Sequence, residues 1–280
     1  MNRLIVQWDA CQPRREAKKT RSKPSTSSAP YSLGYVVFVL YNKEQKEPDV
    51  DRDAIDYIEL NKDREWETSD SITEYTARQA IRRCFPSLRP DLSVLDYGCS
   101  IGRASKVFKE SGFIVTGVDV IEERLKEAAE VCDQTFLRVN MKQKLPFSEG
   151  EFDLVFASLV IEHLCTSDAF VFFHEAHRLL KPKGKVFVST PNPHYARIIM
   201  QHLPMIRGPH LSCWSIEDIK HNLHEVGFRN IKNFGSGRIA SYIGDRFPCR
   251  WIYAAFAVNA EKVPLQAGAA DAQKAAPLRA

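Results

Sequence analysis

This sequence predicts an α/β protein built on a doubly wound, mostly parallel sheet, and three observations carry that prediction. Short apolar runs of the buried-strand kind alternate with stretches of helical periodicity. A glycine turn, Gly98 to Gly102, joins the first such run to a helix. The last two apolar runs, near 228–234 and 251–258, have only the loop 236–250 between them, which suits an antiparallel return. With 280 residues, the chain can bury one sizeable α/β core and leave segments over at both ends.

In chain order, residues 1–50 are expected to be a largely disordered extension, because residues 11–30 are basic and rich in Ser, Thr and Pro. The run YSLGYVVFVLY at 31–41 is strand-like but has no evident place in the fold. A single domain is expected over 51–261. It starts with a mostly helical lead-in from Ala54 to Phe85, where Ile72, Tyr75, Ala80 and Ile81 form a rough stripe before Pro86 and Pro90. Val94 to Asp96 is the first strand. Ala104, Val107 and Phe108 then recur at helical spacing, and Phe113 to Val118 is a second strand ending on Asp119. A helix follows from Glu122 to Val131, with Leu125, Ala128 and Ala129 facing inward, and then a strand from Thr135 to Val139. Phe152 to Ala157 is almost continuously apolar, as a buried parallel strand should be. Residues 168–180 read as a helix, Lys181 to Gly184 as a stop-and-turn, and Lys185 to Thr190 as the fifth strand. Ser215 with Asp218 makes a capping box for a helix ending at Gly227. Two closing strands follow, making seven, and an Ala-rich tail over 262–280 is expected to be disordered.

Composition narrows the possible classes. The net charge of +4 is uneven: residues 1–30 carry seven Lys/Arg against Asp9 and Glu16, so the rest is close to neutral. A nucleic-acid-binding core would show a basic excess there, so no clear nucleic-acid partner is expected. The seven cysteines are scattered with no C-x-x-C pair, which argues against a zinc site or a disulfide framework and for a reducing, cytoplasmic compartment. The longest apolar run, Tyr35 to Tyr41, is too short to span a bilayer. A secretory signal is not expected at the start, although the Arg- and Ser-rich opening leaves a transit peptide open. The sequence is silent on oligomeric state.

The glycine turn suggests a ligand. Glycine at 98 allows a positive φ and a close approach, and Gly102 opens a helix whose free N–H groups face the turn. Asp119, 21 residues after Gly98, is placed to bind the hydroxyls of a ribose. The glycines read G-x-x-x-G rather than the G-x-G-x-x-G of dinucleotide folds, and Asp96 precedes them. A plain βαβ turn with no ligand fits these residues as well, so the downstream chain must decide. In a parallel sheet, ligands lie at the carboxyl ends of the strands, where Asp96 to Gly102, Asp119, Asn140, Ser158 and Thr190 would gather.

Three blocks in order, VLDYGCSIG (94–102), LPFSEGEFDLVFASLVIEHL (145–164) and RLLKPKGKVFVSTPN (178–192), resemble the class I S-adenosylmethionine (SAM)-dependent methyltransferases. The nearest likeness is to ubiquinone-biosynthesis-like O-methyltransferases and those of sugar and natural-product pathways, over roughly residues 70–260. The resemblance implies a Rossmann-like fold and SAM as cofactor. It also implies that Asp96 and the backbone of Tyr97 and Gly98 face the methionine part, with Gly102 completing the turn. Asp119 would hold the ribose, Val120 and Met141 would flank the adenine, and Asn140 would stand where an Asp often bonds the adenine amino group. Ser158 would touch the methionine end, and His163 would border the active site. Ser100 stands where a glycine is common. If that position is left-handed, serine costs about 1–2 kcal/mol.

SAM arrives already activated, so the protein must align, exclude water and, for a hydroxyl acceptor, remove a proton. No metal is required for this, and the sequence shows no clustered ligand set. The acceptor pocket is expected in residues 190–214, which mix apolar groups with His194, Arg197, His202, Arg207 and His210. The expected acceptor is a hydroxylated small molecule, sugar or lipid-linked compound. His163, His194 or His210 would be the proton acceptor, since histidine titrates near neutral pH. An RNA or protein methyltransferase, suggested by the basic opening alone, and a non-catalytic SAM-binding module are the alternatives. Asp153 reads as a turn residue, and His174 and His177 as surface residues.

Overall fold

The computed structural model describes residues 70–195, 210–246 and 250–263. The expectations for 1–50, the lead-in before residue 70, the stretch 196–209 with Arg197, His202 and Arg207, and the tail from 264 lie outside the described residues.

Helix α1 (Asp70–Cys84) leads into β1 (Ser93–Tyr97), α2 (Arg103–Glu110), β2 (Ile114–Asp119), α3 (Glu122–Val131), β3 (Thr135–Arg138) and β4 (Phe152–Ser158). Then come a 3-10 turn (Ile161–His163), α4 (Thr166–Leu179), β5 (Leu180–Pro191), α5 (Ile216–Val226) and β6 (Phe228–Ser236). Last are a short helix α6 (Arg238–Ile243), a second 3-10 turn (Arg250–Ile252) and β7 (Ala255–Lys262). The sheet order is β3-β2-β1-β4-β5-β7-β6. Its first five strands pair in parallel, and β7 inserts antiparallel between β5 and β6. The expected architecture, seven strands with an antiparallel last one, is the observed one.

The strands are apolar on both sides because both faces are covered. Along β1, Val94 packs with α1 and α2 residues such as Ala80, Val107 and Phe108. Its neighbour Leu95 packs with Phe172, Phe173 and Leu223 of α4 and α5. This two-residue alternation repeats at Leu154/Val155 and Phe187/Val188, so one strand feeds two cores. Each fully buried side chain of this kind contributes about 1.5–3 kcal/mol.

Several boundaries depart from expectation. The stop signal at Lys181 to Gly184 ends α4, but the chain re-enters the sheet at once. Leu180 already pairs with Phe152, and the backbone bends at Lys183, φ 65°. β7 begins at Ala255, since the preceding residues form a 3-10 turn that leaves Trp251 exposed. Ala129 is exposed, and α3 buries Leu125 and Ala128. The capping box at Ser215 and the left-handed Gly227 form as expected. Asp153 is buried at the amino end of β4, paired with Lys181 and Arg89 and bonded to Ser93, on the side away from the carboxyl ends. His174 is exposed, whereas His177 is half-buried against the Phe228 ring. Burial and nearby Lys262 push the His177 pKa down to about 4.

Candidate active site

The glycine turn forms at the carboxyl end of β1 and is held by its neighbour. Gly98 and Cys99 donate their N–H groups to the Val118 carbonyl at 2.8 and 3.0 Å. Gly98 and Gly102 both lie at φ 76°, in the left-handed region. Ser100 is also left-handed, φ 49°, so the expected cost of about 1–2 kcal/mol applies. An offset is visible: the Ser100 N–H donates to Asp119 Oδ2 at 2.9 Å, and Arg124 donates to the Ser100 hydroxyl at 3.1 Å. A Cβ on Gly98 would fall 2.5 Å from Val160 Cγ2, and one on Gly102 would fall 2.9 Å from the Ala128 Cβ. Both glycines are therefore set by close approach as well as by φ.

Two buried carboxylates flank the turn. Asp96 accepts a hydrogen bond from Ser105 Oγ at 2.6 Å; burial, against that bond and with the like charge of Asp119, pushes its pKa up to about 7. Asp119 ends β2 and accepts from the N–H groups of Ser100 and, at 3.1 Å, Ile121. Burial raises its pKa, and those two N–H bonds work against the rise. Each Asp119 oxygen uses one lone-pair site on these contacts and keeps capacity for a hydroxyl. Tyr97 turns its ring into the core against Phe172, with its hydroxyl donating to the Met141 carbonyl at 2.9 Å, so only its backbone faces the turn. Met141 is buried among Val139 and Leu145, and half-buried Val120 packs on the same cluster. Asn140 is buried, and its Oδ1 accepts from the Lys142 N–H at 2.9 Å, which fixes the loop after β3. Ser158 is half-buried at the end of β4, 2.8 Å from Ser189 Oγ.

Beyond Ser158 the chain makes a tight bend. Leu159 is a leucine at φ 58°, and its N–H donates to the Ser189 carbonyl at 2.9 Å. Val160 then packs on Gly98, and the 3-10 turn presents Glu162 and His163. From the other side of the 190–214 segment, Leu211 and Ser212 donate their N–H groups to the Glu162 carbonyl at 2.7 and 3.1 Å. Ser212 Oγ and Trp214 Nε1 donate to the Ile161 carbonyl at 3.0 and 3.3 Å. This clamp sets the His210 ring 5.1 Å from that of His163, although the two lie 47 residues apart. One ligand-type atom from each of Glu162, His163 and His210 lies within 4.8 Å of the others. His194 is exposed on the turn after β5, outside this cluster, where its N–H caps Asn192 Oδ1.

The pattern of residues 69–233 matches a family described as a methyltransferase domain. The chain belongs to the methyltransferase-domain family. Its domain is of the class I SAM-dependent type. Two curated relatives are similar to it. A 2-methyl-6-phytyl-1,4-hydroquinone methyltransferase of Synechocystis is 31% identical over 154 residues, 50% of this chain and 48% of that one. A ubiquinone biosynthesis O-methyltransferase of Caulobacter vibrioides is 36% identical over 106 residues, 36% of this chain and 41% of that one. The chain spans about half the length of the curated relatives it matches. Among solved structures, a SAM-dependent methyltransferase from Archaeoglobus fulgidus shares the fold, with a TM-score of 0.54 at 21% identity over 68% of this chain and 94% of that one.

The rim suits the family's cofactor on its own terms. Gly98 and Gly102 leave no room for a Cβ, the first turn of α2 carries no acidic residue, and the turn is flanked by two buried carboxylates, Asp96 and Asp119, able to accept hydrogen bonds. Sequence reasoning missed Val160, Glu162 and the Ser212–Trp214 clamp. A signal for Glu162 was there to find, since it is an acid inside the apolar run LVIEHL immediately after a buried strand.

Proposed function

We propose that this methyltransferase domain moves the methyl group of SAM onto a hydroxyl oxygen of a small-molecule, sugar or lipid-linked acceptor. The observation that carries this reading is the contact between the two halves of the rim. Val160, which packs on Gly98 of the donor turn, lies two residues before Glu162 and three before His163. Donor-binding backbone and titratable cluster are thus held by one short, strained turn.

Bound SAM supplies a sulfonium-activated methyl group. The chain's part is to hold it and to present the acceptor. Asp96 and the Gly98 backbone receive the amino-acid end, Asp119 the ribose, and Val120, Asn140 and Met141 the adenine, with Ser158 at the methionine end. Alignment in line with the carbon–sulfur bond is worth about 7–11 kcal/mol of barrier. His163 and His210 are the imidazoles placed to take up the hydroxyl proton, a role worth about 10²–10⁴-fold. His194, exposed after β5, stands apart from that pair. The quinone-related names of the relatives support a small acceptor with a hydroxyl on a ring. The free cysteines, Cys84, Cys99, Cys132, Cys165 and Cys213 among the described residues, support a reducing, cytoplasmic setting. Also among the described residues, no helix is long and apolar enough to cross a membrane.

Incubation with methyl-labelled SAM and extracts fractionated into small molecules, lipids, RNA and protein tests the acceptor class. Label confined to RNA or protein would overturn it. Replacing His163, His194 and His210 singly by Gln, with turnover compared against SAM affinity, tests the base. Unchanged turnover in all three removes the assignment.

A further inference from the structure

We infer that Glu162, His163 and His210 form a binding site for one divalent transition-metal ion, set on the acceptor side of the rim. Two imidazoles and one carboxylate are a three-donor set that leaves further coordination positions open. Imidazole donors favour zinc, cobalt, nickel or iron over magnesium or calcium, which prefer all-oxygen sites. The donor atoms lie within 4.8 Å of one another, and a tetrahedral ion at bond lengths near 2.1 Å holds its ligands about 3.4 Å apart. The two half-buried imidazoles therefore need to close in by about an ångström, which side-chain rotation supplies.

Three further features set this cluster apart from a chance grouping. Glu162 is a buried carboxylate whose side chain accepts from Thr190 Oγ1 at 3.1 Å, with no lysine or arginine of the described residues paired to it. A bound dication would offset the burial of that charge. Thr190 itself orients the carboxylate, as outer partners do for metal ligands. The segment bearing His210 is tied to the 161–162 backbone by four hydrogen bonds, so the second imidazole is positioned by the fold and not by its own contacts alone.

What the ion would do rests on the reading of transfer to oxygen. An acceptor hydroxyl in an open position would have its pKa lowered, as bound water has. Its proton passes to solvent, the oxygen–carbon bond forms as the carbon–sulfur bond breaks, and the bonding pair stays on sulfur, leaving neutral S-adenosylhomocysteine. With the ion bound the two imidazoles act through it, and in its absence they are the proton acceptors described above.

The test uses the full chain, stripped with a chelator and dialysed against Co²⁺, with metal analysis and visible absorption as readouts. The site predicts one cobalt per chain with the absorption of a nitrogen- and oxygen-ligated ion, displaced by zinc and not by magnesium. His210→Gln and Glu162→Gln should each weaken cobalt binding by at least the ~10–100-fold that loss of an outer partner causes. Because Glu162 is buried, His210→Gln carries the decision. Calorimetry with S-adenosylhomocysteine checks that the variants remain folded. Equal cobalt content in wild type and His210→Gln, or displacement by magnesium, overturns the site. S-adenosylhomocysteine binding without cobalt refutes the ion site alone, whereas cobalt without S-adenosylhomocysteine refutes the methyltransferase reading and leaves the ion site standing.

Discussion

Replacing Gly98 by Ala puts the contact between the glycine turn and the turn bearing Val160 to a numerical test. The added methyl meets two separate penalties. An L-residue at φ 76° costs about 1–2 kcal/mol. The methyl also lands 2.5 Å from Val160 Cγ2 and 3.1 Å from Cγ1, and valine is stiff at χ1, so overpacking adds about 1–3 kcal/mol. The sum, about 2–5 kcal/mol, is a large part of a typical domain's 5–15 kcal/mol. Val160→Ala removes the clash and leaves the dihedral strain, so a double-mutant cycle separates them. Urea unfolding of the four proteins should give a favourable coupling of about 1–3 kcal/mol between the two changes. Calorimetry should show S-adenosylhomocysteine binding weakened at least tenfold in Gly98→Ala, the effect of about 1.4 kcal/mol of displaced turn. Additivity within about 0.5 kcal/mol would show that Val160 does not limit this site. Unchanged affinity would remove the turn from the donor site altogether.

Asp119→Asn keeps one acceptor but turns an NH₂ toward a backbone N–H, so it should lose about 1–3 kcal/mol of stability and weaken S-adenosylhomocysteine binding, read by calorimetry. Asp96 has its pKa raised by burial from 3.8 to about 7, so the folded state keeps a proton that the unfolded chain sheds between those values. Stability from this group is therefore present at low pH and is lost as pH rises through 7. The unfolding free energy of wild type minus that of Asp96→Asn should fall across that range, and a flat difference would contradict the burial argument. Asp153→Asn, at the opposite end of β4, should cost about 1–3 kcal/mol by leaving the Ser93 N–H and its cationic partners poorly matched. Its kcat/KM should stay at the wild-type value where the protein is folded.

Much of this molecule was legible from residue order because its signals are local. The G-x-x-x-G turn, the Ser215 cap and the apolar strands each depend on neighbours within a few residues, and the alternation of strand and helix leaves few topologies open. Asp119 was readable at the end of β2 because a strand places its last residue at the rim by length alone. Boundaries were less readable where pairing decides them. Leu180 becomes strand only because Phe152 lies beside it, and Trp251 stays out of the sheet because β7 starts where Pro191 offers a partner, at Ala255. The Glu162–His163–His210 cluster was beyond the sequence for the same reason in stronger form. Its members come from two segments 47 residues apart, and backbone hydrogen bonds from Leu211 and Ser212 to Glu162 bring them together. Composition and periodicity encode which face a residue takes. Only the assembled sheet, with Val160 wedged against Gly98, decides which polar groups meet across it.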